Sequence, residues 1–486
     1  MKRLLTTAAL GACALALDPS NVQAQSLVAL HPFSQTGDIF IPEPGADRVY
    51  RLQDIYLDGR YDGLGETVVF YDDTIGPVPL TNPNGITVGL NGVVYVSDSS
   101  EEIVLRLLDI DGDGTCHGPG EATIFFDGRP GGNASGVLSA SPANLTVDLF
   151  GVVWLSVAGD GANNQDRILR LSDNNFDGDA NDLAEASAYY DFPPGALGTN
   201  VPQDVTIGPD GRLYVVDIPS TGTIAKGVYR LNDANSSGSI DATEIAPFFI
   251  PPALASNPFF WGMTVDANGF FYLADTTNET IWKFRDENGD NVIDNATEAV
   301  QWWVAPGSTL IWRLAAASDG SILAAESQAP DSVLRFFDTN SDGVIDPLTE
   351  VEVVWSDLVS AIDIVNPRSI ATDRQPTIVA DPLASISAPF SIGTFATEGD
   401  TVLLFWSAFA TAPVPVLGLG FAELDLTPGL FGLLSVATAP FFGPTFTSFP
   451  AINQPGLVGV SIQLQALAGK VARLRLSNRA TLTFVN

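Results

Sequence analysis

The sequence predicts an all-β chain: a six-bladed β-propeller over residues 28–375, then a small β-sandwich over residues 376–486. Three observations predict it. An acidic segment recurs six times at intervals of roughly 52 to 64 residues, the spacing of propeller blades with a long insertion. Each recurrence lies in a unit that reads as four short strands. After Arg374-Gln375-Pro376 the acidic segments stop, and Phe, Pro, Gly, Ala and Thr dominate.

The repeat is plain on inspection. RLQDIYLDGRYDGLGETVVFYD from Arg51 aligns without a gap to RLLDIDGDGTCHGPGEATIFFD from Arg106. Later copies start at Arg170, Arg230, Lys283 and Arg335, and the shared acids are Asp54, Asp109, Asp173, Asp233, Asp286 and Asp338. Upstream of five of them lies a second shared segment, such as NPNGITVGLNGVVYVSDSS from Asn82 or VPQDVTIGPDGRLYVVD from Val201. Alternating apolar residues on either side of Asn-Gly or Asp-Gly read as strand, turn, strand. A third strand leads into the acidic loop, and a fourth, such as Ala122 to Phe126, leaves it; that is the strand content of one blade. The first unit lacks its leading strand. Pro367-Arg368-Ser369-Ile370-Ala371-Thr372, after the sixth loop, is expected to supply it and close the ring, which removes the open edge.

Lys2 and Arg3 precede an apolar stretch from Leu4 to Leu17, and Val22-Gln23-Ala24 offers small residues for cleavage. This anatomy predicts a secretory signal over residues 1–24 and a periplasmic or extracellular location. The rival is a lipoprotein signal, Leu10-Gly11-Ala12 before Cys13, but apolar residues continue past that cysteine. No later stretch reads as a transmembrane helix, because the apolar run near Val416 to Ala439 is broken by Gly, Pro and acidic residues. Cleavage after Ala24 leaves Cys116 alone, so no intrachain disulfide can staple the fold and metal ions are the expected substitute.

Charge narrows the partners. With 57 acidic and 22 basic residues the net charge is -35, which repels nucleic acid and anionic membranes. At 45% hydrophobic residues the chain still has the means to bury a core.

The acidic loops carry the expected cofactor, calcium, a hard cation that takes oxygen ligands. The loop from Asp338 reads D-x-N-x-D-G-x-x-D, with Asn340, Asp342 and Asp346 as further donors and Gly343 at the sharp turn. The loop from Asp286 offers Asn288, Asp290 and Asp294 but has Asn291 in place of the glycine. The loop from Asp173 has Asn175, Asp177 and Asp179, with Asp182 displaced by one; the loop from Asp233 has Asn235, Asp241, Glu244 and the weaker Ser237. The loop from Asp109 has Asp111 and Asp113, but ninth place is His117, a nitrogen that calcium disfavours, with Glu121 to compensate. The loop from Asp54 has Asp58 and Asp62 but Tyr56 in third place, where an oxygen is needed. The plainer reading is a set of solvated acidic turns; one donor pattern at one place in every unit argues against it. The ions are expected to be structural.

Pro83-Asn84-Gly85-Ile86-Thr87-Val88 and Asn91-Gly92-Val93-Val94-Tyr95-Val96-Ser97-Asp98 resemble NHL repeats, and the resemblance spans roughly residues 28 to 375. The acidic loops resemble those of EF-hands and dockerins. The resemblance implies a propeller but no single activity, since the wider group holds binding modules, lyases and lactonases. It also implies that segments entering the inner strands gather around the central channel, on the face opposite the acidic loops. Asn84, Asn144, Gln203, Asp204, Trp261, Trp312, Arg313 and Arg368 are the candidates there. Aromatics stack and amides and guanidiniums donate hydrogen bonds, which suits a carbohydrate or small anionic ligand; the blander reading is that they plug the channel. Catalytic constellations are not evident. His31 and His117 are the only histidines and neither maps to the funnel, which counts against histidine-based lyases and Ser-His hydrolases.

The first expectation is therefore a secreted, calcium-stabilised binding or scaffold protein, with an extracellular protein or surface as a further kind of partner. The alternative is a hydrolase of the SMP-30/gluconolactonase kind with a metal in the funnel. Asn84, Asn144 and Asp204 imitate part of that ligand set, although the N-terminal glutamate motif of that family is not evident. The C-terminal segments Thr401 to Trp406, Gly459 to Leu464 and Ala480 to Phe484 read as strands, and the close of the chain resembles a small all-β module of secreted bacterial proteins.

Overall fold

A computed structural model describes residues 37–373, apart from 57, 90–91, 149, 160–165, 193–200, 219–224, 253–255, 267 and 318–319, together with strands between 377 and 485. The expected signal segment and His31 lie outside the described residues. No helix occurs among the described residues.

The first blade contains β1 (Ile39–Glu43), β2 (Arg48–Leu52) and β3 (Thr67–Asp72). The second is β4 (Pro83–Val88), β5 (Val94–Asp98), β6 (Ile103–Leu107) and β7 (Ala122–Asp127). The third is β8 (Pro142–Val147), β9 (Val153–Ala158), β10 (Asp166–Leu171) and β11 (Ala186–Asp191). The fourth is β12 (Pro202–Ile207), β13 (Leu213–Asp217), β14 (Gly227–Leu231) and β15 (Ile245–Phe249). The fifth is β16 (Phe260–Val265), β17 (Phe271–Asp275), β18 (Thr280–Phe284) and β19 (Ala299–Val304). The sixth is β20 (Ile311–Ala316), β21 (Ile322–Glu326), β22 (Ser332–Phe336) and β23 (Val351–Ser356). Each is an antiparallel four-stranded sheet in chain order, except the first, where β24 (Ala371–Thr372) pairs with β1. The first and last described strands of the propeller thus share one blade. The fold is a six-bladed β-propeller.

Register fixes which loops share a face. In the second blade Pro83, Asp98, Ile103 and Asp127 align at one edge of the sheet, and Val88, Val94, Leu107 and Ala122 at the other. The segments entering the inner strands therefore lie at the end opposite the acidic loops. The core is the set of interfaces between neighbouring blades; between the sixth and first it holds Ile39, Tyr50, Tyr61, Val333, Val354, Trp355 and Ile370, all buried.

Two bulges recur around the ring. One sits near the start of the inner strand: β4, β8, β12, β16 and β20 all shift register within their first residues. The other sits in the outer strand of all six blades, where Phe70, Phe125, Tyr189, Phe248, Trp302 and Val354 have no partner in the ladder. A bulge adds one residue and re-aims the chain around it.

From Thr377 onward the strands make three further sheets. The largest joins Leu383–Ser385, Ala480–Val485, Ser461–Lys470, Thr401–Ser407 and Phe431–Thr438 in that order. All three segments expected to be strands in this region overlap it.

Candidate metal loops and the funnel rim

Each acidic loop begins as its third strand ends and is shaped by its own side chains. The acid in first place accepts from the backbone amide in sixth place: Gly59 N to Asp54 (2.9 Å), Gly114 N to Asp109 (3.0 Å), Gly178 N to Asp173 (2.9 Å), Gly238 N to Asp233 (2.9 Å), Asn291 N to Asp286 (2.8 Å) and Gly343 N to Asp338 (2.9 Å). The third-place side chain accepts from the fifth amide in five loops, through Asp111, Asn175, Asn235, Asn288 and Asn340. Asp113, Asp177, Asp290 and Asp342 in fifth place accept from the seventh amide. Sixth place is left-handed in all six loops, at φ 83° for Gly59 and 68° for Asn291. Asparagine tolerates that region better than most residues, so Asn291 keeps the turn that glycine makes elsewhere.

A glutamate closes every loop. Glu66, Glu121, Glu185, Glu244, Glu298 and Glu350 are buried. Oε1 of each accepts from the second and third amides of its loop, as from Glu287 N (2.9 Å) and Asn288 N (3.1 Å) to Glu298. Oε2 accepts from an amide three or four residues upstream. Glu121 and Glu244, expected as ligands, thus each hold three backbone amides. At Glu350 burial raises the carboxyl's pKa, but hydrogen bonds from Asp346, Thr339 and Asn340 outweigh it and hold the group below the usual range.

The side chains in third and fifth place are exposed, so the donor oxygens face solvent. Three carboxylate oxygens lie within 4.8 Å of one another at Asp54, Asp58 and Glu66, and again at Asp109, Asp111 and Glu121. All are hard oxygen donors, the chemistry that fits calcium. Burial lifts Asp54 to about 6 and raises Asp173 and Asp179 as well, with backbone hydrogen bonds opposing the shift and neighbouring carboxylates adding to it less. Two ninth-place residues turn away from their loops: His117 Nε2 accepts from Asp72 N (2.9 Å), and Asn181 Oδ1 from Asp127 N (2.8 Å). Asp182 instead accepts from Asn175 Nδ2 (2.7 Å). Asp241, Asp294 and Asp346 accept from amides two residues on. Ser237 Oγ donates to Ser239 O (2.8 Å).

The funnel candidates fall at the inner-strand bulges rather than in the loops before them, except Arg368, which lies ahead of Ala371–Thr372, and most divide into two sets. Asn144, Gln203, Asp204 and Arg313 form a buried floor. Arg313 reaches from the sixth blade to carbonyls of the second and fourth, donating to Asn84 O (2.7 Å) and Gln203 O (3.0 Å). Asp204 accepts from Asn144 Nδ2 of the third blade, from Met263 N of the fifth (2.7 Å) and from Val205 N (2.8 Å). Five blades are tied across the axis. Burial pulls Arg313 down to about 10, with Asp204 opposing, and burial raises Asp204 against the pull of Arg313. Gly85 lets the inner strands meet here, since a Cβ on it would lie 2.6 Å from Ala143 O.

The second set is a half-buried aromatic rim. Phe259 stacks on Trp261 (centroids 5.2 Å), Trp261 meets Trp312 edge-on (4.5 Å), and the Arg368 guanidinium lies 5.7 Å from the Trp312 ring centre. Trp312 Nε1 donates to Ser327 Oγ. Trp261 Nε1 and Asn144 Oδ1 are buried atoms with no hydrogen-bond partner among the described residues.

Sequence reasoning missed what pins this rim. An acid ending the second strand accepts from the amide just before the inner strand: Asp98 from Asn82 N (3.0 Å), Asp217 from Val201 N (2.8 Å) and Asp275 from Phe259 N (3.2 Å); in the first blade Glu43 accepts from Val365 N (2.8 Å), farther ahead of its inner strand. The signal was present, because Asp98, Asp217 and Asp275 each close a copy of the second repeated segment.

No protein-family model and no curated protein matches the chain. Solved structures do. Virginiamycin B lyase from Staphylococcus aureus is 17% identical over 74% of this chain and 88% of its own, with a TM-score of 0.41. A protein from Bacteroides fragilis described as a "putative 6-phosphogluconolactonase" is 15% identical over 85% of this chain and 98% of its own, with a TM-score of 0.42. Likeness at this level carries no inference about activity.

Proposed function

We propose that the chain is a secreted, calcium-stabilised β-propeller that acts as a binding or scaffold protein, its ions structural and its ligand face the aromatic rim. The observation that carries the proposal is the recurrence of one loop conformation six times, with the first-place carboxylate held by the sixth amide in every loop and an exposed third-place oxygen held by the fifth amide in five. The leader-like N-terminus and the lone Cys116 of the expected mature chain agree with an exported protein stabilised by ions instead of disulfides. The axial-metal hydrolase has less support, because both oxygens of Asp204 already accept protein hydrogen bonds.

Extracellular calcium modules bind with Kd of about 0.1–1 mM, so at about 1 mM calcium each filled loop adds roughly 0.4 to 1.4 kcal/mol. Several loops together are a sizeable part of a domain's stability of about 5–15 kcal/mol. Calorimetry in excess EDTA should show a lower melting temperature that calcium restores and magnesium restores less. An unchanged transition in EDTA would sink the proposal.

A further inference from the structure

The acidic loops also dock. The eighth residue of each donates its amide to the outer strand of the preceding blade: Cys116 N to Phe70 O (2.7 Å), Ala180 N to Phe125 O (2.7 Å), Ile240 N to Tyr189 O (2.7 Å), Ile293 N to Phe248 O (2.8 Å), Ile345 N to Trp302 O (2.7 Å) and Tyr61 N to Val354 O (2.8 Å). Every acceptor is the extra residue of the outer-strand bulge. The bulge frees a carbonyl that the ladder would otherwise use, and the loop takes it.

At five interfaces the strand supplies an aromatic side chain and the loop a small or aliphatic one. Where the ring closes the sizes are exchanged: the loop carries Tyr61 and the strand Val354. Both are fully buried in the core between the sixth and first blades. Tyr61 Oη donates to Gly37 O (3.1 Å), where the chain enters the ring. A Cβ at Gly37 would collide with Asp373 O, so the entering and leaving chains run close together there. Arg335 Nη2 of the sixth blade adds a bond to Gly59 O (2.9 Å) of the same loop. Strand β24, by contrast, is short: it pairs with β1 through Ile39↔Thr372 and Phe40↔Ala371, and Asp373 N donates to Asp38 O (2.8 Å) just beyond them.

We infer that the exchanged Tyr61–Val354 pair is a key that makes the first blade's loop fit the sixth blade and no other, so that the ring closes with six blades in register. An Ile-type loop would leave a hole against Val354, and Tyr61 would clash with the aromatic bulges elsewhere. Specificity here comes from rejecting wrong partners as much as from fitting the right one.

The test uses the full chain and amide hydrogen exchange in Val351–Ser356 and Ile39–Glu43. Tyr61→Ile and Val354→Phe alone should each speed exchange on both sides of the seam by about tenfold or more. The Tyr61→Ile/Val354→Phe double variant, which gives the seam the pairing of the other interfaces, should return within about threefold of the parent. Ile293→Tyr, which sets a tyrosine against Phe248, should loosen its own interface. Additive damage in the double variant, parent-like exchange in Tyr61→Ile, or an unperturbed Ile293→Tyr overturns the key. If Val354→Phe does not fold, Ile293→Tyr and Tyr61→Ile still decide it.

Discussion

Asp217 shows what a single buried carboxyl does here. It ends β13, 2% exposed, and accepts from Val201 N at the entrance to the fourth inner strand. Burial lifts it to about 7; the Val201 hydrogen bond opposes that and nearby Asp166 adds to it. An unfolded aspartate titrates near about 4, so between about pH 4 and 7 the folded state holds a proton that the unfolded state has lost. Its contribution to stability is therefore full below about pH 4 and fades as pH rises to about 7. Urea midpoints at fixed calcium should fall across that window in the parent and fall less in Asp217→Asn. Equal slopes would mean that the buried carboxyl is not the cause. Sequence could show that an acid closes this repeated segment; it could not show that the acid turns inward, because that depends on the next blade covering it.

At the scale of the loop, side-chain and backbone roles separate. The repeat exposed the donor set and the left-handed turn, since both are written as residue types at fixed offsets. It did not expose the docking residue, because Tyr61, Cys116, Ala180, Ile240, Ile293 and Ile345 share burial and an amide hydrogen bond but no side-chain chemistry. Nor did it show that the closing glutamates serve backbone amides. With those glutamates engaged, differences between loops rest on first, third and fifth places. Asp338→Ala and Asp342→Ala should lower calcium uptake more than Asp54→Ala, because Tyr56 offers no third-place oxygen and its hydroxyl donates instead to Leu64 O. Equal losses in titration calorimetry would show that the Asp54, Asp58 and Glu66 cluster binds without that ligand.

At the scale of the molecule, the strand count, ring closure and opposed faces were legible because they follow from repeat number and alternation. The divided funnel was not, since it depends on side chains meeting across the axis from blades far apart in sequence. Arg313 and Asp204 close the floor, so the proposed ligand face is the rim. An acidic sugar such as glucuronate should stack on Trp312 and pair with Arg368, and Trp312→Ala or Arg368→Ala should each weaken it by about tenfold. Because the chain carries a net charge of -35, its association rate should rise with salt until the local arginine is screened. Parent-like binding in both folded variants would make the whole funnel a plug.

The shared first blade also sets a timetable. Strands β1 to β3 leave the ribosome early, yet their inner neighbour, Ala371–Thr372, is made roughly 330 residues later, about 15 to 70 s at ordinary rates of synthesis. Through that interval β1 has an open edge of the kind that recruits other strands. Under the proposed export as an unfolded chain, folding would start only once Ala371–Thr372 had been made, and β1 would not have to wait for its inner neighbour.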